Sequence, residues 1–101
     1  MFSYNDNLDE KKLYISMPSK IRYNFIFLNE ITNLMKTVEQ SGCNKLYFSS
    51  NEKDMVIDKL GAAYLFSTLQ FFVRNKTVLI DRALYQVFHD RVSHIDGRKF
   101  E

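Results

Sequence analysis

Asp54 and Asp58 are the first residues whose type and spacing could do chemistry, as a pair of carboxylates four positions apart. Such a pair can divide acid and base roles when its surroundings push the two groups apart. A loop position for Asp54 and a helix N-cap for Asp58 explain the same residues without catalysis, because a cap carboxylate accepts the free N–H groups of the first turn. His89 and His94 are five apart, which places them on different faces of a helix, whereas a metal pair wants three or four. His89 beside Asp90 could be a base with an orienting carboxylate, but no motif ties a serine or cysteine nucleophile to it. Surface histidines are the simpler reading.

Cys43 is the single cysteine and follows Gly42 at an expected helix end, with no base nearby in sequence. It reads as a structural or incidental thiol. With no internal disulfide available, a reducing cytoplasm is the natural setting. The three glycines stand apart, and Lys59-Leu60-Gly61 lacks the spacing of a phosphate loop. No catalytic constellation, metal site or cofactor is implied.

The chain that must position these residues is 101 residues long, which suits one domain with a real but small core. Apolar residues at 46% and aromatics at 15% exclude a disordered chain. No apolar run approaches the roughly 20 residues of a membrane span, and the polar start Met1-Phe2-Ser3-Tyr4-Asn5-Asp6 is not a signal peptide. A formal charge of +2, with basic residues scattered among acidic ones, gives no nucleic-acid footprint. Tyr14, Tyr23, Tyr47, Phe71 and Phe72 supply aromatics for such binding, but most fall on expected core positions, which argues against a nucleic-acid partner.

Residues 1–10 read as a frayed tail or a short edge segment, and 1–11 as a polar tail before a single domain over 12–101. Leu13–Met17 has strand composition and stops at Pro18. Lys20–Tyr23 alternates charged with apolar residues, as a short extended segment does. Asn24 can cap a helix whose stripe is Phe27, Ile31, Leu34 and Val38, joined by Leu28 and Met35, with Gly42 as its terminator. Lys45–Ser49 is a second core strand, Ser50–Lys53 a polar loop, and Met55–Ile57 a run too short to assign firmly. Asp58 then caps a strongly apolar helix reaching about Val73, with Asn75 a non-glycine terminator. Thr77–Ile80 reads as a strand buried on both faces. Asp81 caps a third helix with the stripe Leu84, Tyr85, Val87, Phe88, Val92 and Ile95. Helices alternating with strands predict a small α/β fold: a mixed, mostly parallel four-stranded sheet with about three helices. The chain ends soon after a helix, which is compatible with a piece of a longer protein.

One excess stands out. Tyr64, Phe66, Phe71 and Phe72 share a helix with Leu60, Leu65 and Leu69. A helix lying on a small sheet buries about half its circumference, so either some of these stay outside and mark a contact surface, or a small core is filled from two sides.

The order of elements, with the Pro18 bend, the helix ending at Gly42, the core strand at Leu46–Phe48 and the segment Met55-Val56-Ile57-Asp58-Lys59-Leu60-Gly61, resembles the STAS domain. That is the fold of bacterial anti-sigma-factor antagonists and of sulfate-transporter tails. The similarity spans roughly residues 12–95. In that family an apolar segment runs into Asp-Ser-Ser-Gly-Leu or similar, and the matching residues here are Asp58, Lys59, Leu60, Gly61 and Ala62. The phosphorylatable serine falls at Leu60, which has no hydroxyl. The resemblance therefore implies a docking module without its own switch, with Asp54, Asp58, Lys59, Leu60 and Tyr64 facing another protein, often a histidine-kinase-like ATPase. Two other readings compete: a small-ligand or nucleotide site at the helix N-terminus behind Asp58, and a self-associating subunit that dimerises through the aromatic helix face.

Overall fold

The structure is a computed structural model that describes residues 2–50 and 55–91. In chain order its elements are β1 (Ser3–Asn7), β2 (Lys12–Met17), β3 (Lys20–Ile21), α1 (Phe25–Ser41), β4 (Lys45–Ser50), β5 (Val56–Ile57), α2 (Lys59–Val73), β6 (Thr77–Ile80) and α3 (Arg82–Arg91). The main sheet has the order β1-β2-β4-β6, with β1 antiparallel to β2 and the other pairs parallel. The fold is thus mixed α/β with a mostly parallel four-stranded sheet and three helices, as the alternation of elements predicts.

Local sequence explains the helix boundaries. Asn24 Oδ1 accepts from the Phe27 N–H at 2.9 Å, and Gly42 closes α1 at φ 67°, a conformation that only glycine takes without strain. The stripe Phe27, Ile31, Leu34 and Val38 is buried, Leu28 is half-buried, and Met35 lies outside it, exposed. Asp81 does two jobs. Its Oδ1 accepts from the Leu84 N–H at 2.9 Å as the α3 cap, and its Oδ2 accepts from the Ser50 N–H at 2.9 Å, pinning the end of β4 to the start of α3. In α3, Leu84, Val87 and Phe88 are buried while Tyr85 is exposed; Val92 and Ile95 lie outside the described residues.

Two expectations are corrected and one open alternative is decided. Asn75 does not end α2 by turning left-handed: Lys11 is the positive-φ non-glycine residue among those described. The Asn75 and Lys76 amides instead fold back on the Phe72 carbonyl, a tightened last turn. Of the two readings for residues 1–10, the edge segment is realised, since Ser3–Asn7 pair with Lys12–Ser16. Nor is β6 buried on both faces. Val78 and Ile80 are buried, but Thr77 is exposed and Leu79 half-buried.

The last point holds across the sheet. Leu13, Ile15, Met17, Leu46, Phe48, Val78 and Ile80 join the helix stripes in one core, while the alternate strand residues lie outside it. With a side-chain period of two, this means that all three helices cover the same face. The other face is open among the described residues.

Candidate functional site

Lys20–Ile21 and Met55–Ile57 are too short to announce a sheet, yet β3 and β5 pair with each other in a separate two-stranded parallel ladder. The Val56 N–H donates to the Ser19 carbonyl at 2.7 Å and the Asp58 N–H to the Ile21 carbonyl at 3.3 Å. Ile21 and Ile57 face the core, so the ladder is anchored by one buried side chain per strand. It delivers Asp58 to the start of α2. There the carboxylate accepts from the Gly61 N–H at 2.7 Å and, through Oδ2, from the Tyr23 N–H at 3.0 Å. Asp58 is therefore both cap and clasp, joining the entry of α2 to the entry of α1.

The side chains around this clasp are mostly apolar and open to solvent. Leu60 is 66% exposed, and Phe25 and Ile26 at the start of α1 are 84% and 73% exposed. Val56, Tyr23 and Tyr64 are exposed as well. Tyr23 and Tyr64 lie 5.8 Å apart between ring centroids, and each also packs on the buried Phe27 ring, at 6.2 and 5.9 Å. Leu60 and Tyr64 share one helix face at i, i+4. Lys20, Arg22 and Lys59 are exposed at the margin, where they line a shallow cleft with Val56.

Of the residues singled out from sequence, Asp58, Lys59, Leu60 and Tyr64 thus come together at the tip of α2, and Asp54 lies outside the described residues. Tyr23, against the Tyr64 ring, and Val56, in the cleft with Lys59, belong with them and were not legible as a group, while Phe25 and Ile26 stand exposed at the adjoining start of α1. Phe25 and Ile26 did carry a signal, since they are large apolar residues off the α1 stripe. The N-terminus of α2 is not open to an anion in the usual way, because the Asp58 carboxylate already faces its N–H groups.

The remaining candidates stand apart from this tip. Cys43 is buried, with its Sγ 3.2 Å from Asp6 Oδ1. Burial, with the neighbouring Asp6 carboxylate, pushes its thiol up, which holds it in the protonated and poorly nucleophilic form. His89 is exposed on α3, its ring 6.3 Å from that of Tyr85, and His94 lies outside the described residues. Among the described residues no three His, Cys, Asp or Glu side chains gather as metal ligands, and no helix is long and apolar enough to cross a membrane. The aromatics do not all serve the core: Phe72 is buried, Phe71 and Tyr23 are exposed, and Tyr14 and Tyr47 are half-buried on the open sheet face.

Compared with family models, curated proteins and solved structures, the chain gives no match. What fold and site define is a class: a two-layer α/β domain, one end of which carries an apolar, cation-rimmed surface around a capped helix tip.

Proposed function

We propose that this chain is a non-enzymatic regulatory or adaptor domain that docks another protein through the tip of α2 and the strand pair beside it. The observation that carries this reading is the exposed apolar set Tyr23, Phe25, Ile26, Val56, Leu60 and Tyr64, rimmed by Lys20, Arg22 and Lys59. A single exposed leucine on a surface needs no explanation, but six large apolar side chains at the tied entries of two helices do. Aromatic anchors inside a polar margin are the usual composition of a protein interface. The cationic margin suits a partner with carboxylates beside its apolar contact residues.

The likeness to STAS domains supports the same surface. In that family the segment matching Asp58–Ala62 meets the protein partner, and a histidine-kinase-like ATPase is the class of partner it implies. Leu60 stands where the family's phosphate acceptor would be, so docking here runs without a phosphorylation switch at that position. The Asp58 carboxylate fits this role, since its hydrogen bonds hold the tip in shape.

The test is recovery of the products of neighbouring genes, an ATPase of that class above all, with purified wild-type protein and with a Lys59→Glu/Leu60→Asp variant. Both side chains are exposed, so the variant should fold normally, as most surface substitutions stay within about 0.5 kcal/mol. Loss of a directly binding partner from the variant is the expected outcome. Equal recovery of every partner would remove this surface from consideration.

A further inference from the structure

The open face of the main sheet shares no residue with the helix tip and has a different composition. Across it the register sets Asn5, Tyr14, Tyr47 and Leu79 in one row. The Tyr14 and Tyr47 rings, on the two central strands, lie 5.8 Å apart. Lys12 and Lys45 are register partners on one side of the ring pair, and Ser16 and Ser49 on the other. The Lys12 ammonium sits 4.8 Å from the Tyr14 ring centroid and 5.1 Å from that of Tyr47. Glu10 brings a carboxylate close, accepting from the Tyr14 hydroxyl at 3.2 Å.

This composition selects among occupants. A further helix layer or a second sheet would need an apolar face, and Leu79 is the sole aliphatic side chain among the described residues of this one. Paired aromatic rings on adjacent central strands, with the Lys12 ammonium over them in the free protein and Lys45 beside it, instead match the two parts of a single-stranded polynucleotide once Lys12 swings from the rings to a phosphate. Bases stack on the rings and phosphates meet the cations. The hydroxyls of Ser16 and Ser49 and the Asn5 amide, next to the rings, supply the hydrogen-bonding groups that a ribose 2′-hydroxyl can use. We propose that the open sheet face binds single-stranded RNA, with bases stacked on Tyr14 and Tyr47 and the backbone held by Lys12 and Lys45. The core reading of these tyrosines, which beside the net charge of only +2 argued against nucleic acid at the level of sequence, fails because the helices cover only the other face.

The experiment titrates the full chain into a fluorescein-labelled RNA of about ten nucleotides at low salt and follows anisotropy. A saturable rise is expected. Tyr14→Leu/Tyr47→Leu should weaken binding roughly tenfold or more, while Tyr14→Phe/Tyr47→Phe, which keeps both rings, should bind like the wild type. Lys12→Gln and Lys45→Gln should each flatten the plot of log affinity against log salt by about 0.7. Absence of any rise, or unchanged binding by the leucine variant, would overturn the proposal. So would loss of binding in Arg22→Gln/Lys59→Gln, which would put the RNA at the helix tip. Equal affinity for DNA of the same sequence would overturn the assignment to RNA, and a tyrosine-dependent dimer in light scattering would give the face to a second copy.

Discussion

Gly61 and Tyr4 show how single residues set the limits of this fold. A β-carbon at Gly61 would stand 2.7 Å from Asp58 Oδ1 and 3.2 Å from Ile57 Cγ1. Exchanging glycine for alanine inside a helix ordinarily stabilises by about 1 kcal/mol. Here the new methyl must push the carboxylate away from the Gly61 and Tyr23 N–H groups, and a lost cap alone costs about 1 kcal/mol. Asp58→Ala should therefore lower stability by roughly 1–2 kcal/mol in urea unfolding, and Gly61→Ala, whose helix-propensity gain offsets part of the same loss, by about 1 kcal/mol or less. A stabilised Gly61→Ala protein would show that the carboxylate swings aside without cost. Tyr4, at the inner side of β1, has a buried hydroxyl without a hydrogen-bond partner. Burial, then the Glu30 carboxylate, pushes its phenol from 10.0 up to about 12; the Thr37 hydroxyl tempers the shift without meeting hydrogen-bond geometry. A folded-state value above the unfolded one means that the contribution is full below 10.0 and is lost as pH climbs toward 12. The Cys43 thiol, raised from 9.0 by burial, acts in the same direction. The urea midpoint should fall across this alkaline window, and fall less in Tyr4→Phe. An identical fall in that variant would assign the effect to other groups.

At the scale of elements, what could be read from sequence follows how much of an element's stability is local. The α1 helix was legible because its cap, stripe and terminating glycine lie within its own residues. The same holds for the Asp58 and Asp81 caps, although the sequence could not show that each carboxylate also reaches across to a distant backbone N–H, at Tyr23 and Ser50. β1 was ambiguous for a physical reason. As an edge strand it turns Ser3, Asn5 and Asn7 to the open face and keeps only Tyr4 and Asp6 opposite buried β2 residues, so no apolar alternation announces it. β3 and β5 are two residues each and exist only because they meet each other, which is a tertiary fact. The candidate site was half legible on the same grounds. Lys59, Leu60 and Tyr64 lie within two turns of the cap and follow from helix geometry, whereas Tyr23, Phe25, Ile26 and Val56 reach that end of the molecule through the β3–β5 ladder and the chain entry into α1.

For the molecule as a whole, placing all three helices on one face leaves two exposed surfaces of opposite character. The helix tip is apolar with a cationic margin, and the open sheet face is polar around two tyrosines. They share no side chain, but both rest on one core, so coupling between them would have to pass through that core. A core with a single packed arrangement transmits little, because coupling needs an element with two alternative states that both ligands bias. The two surfaces should then behave as independent sites. Lys59→Glu/Leu60→Asp should leave RNA affinity within about twofold of wild type, and Tyr14→Leu/Tyr47→Leu should leave recovery of the protein partner unchanged, as expected for separated substitutions. Saturating RNA should neither release nor tighten the bound partner. A change in either direction would have to appear reciprocally in the RNA titration, since linkage allows no one-way effect on affinity. Such a reciprocal change would mean that β2, which carries Tyr14 and leads through Pro18 into β3, shifts between two positions and connects the surfaces.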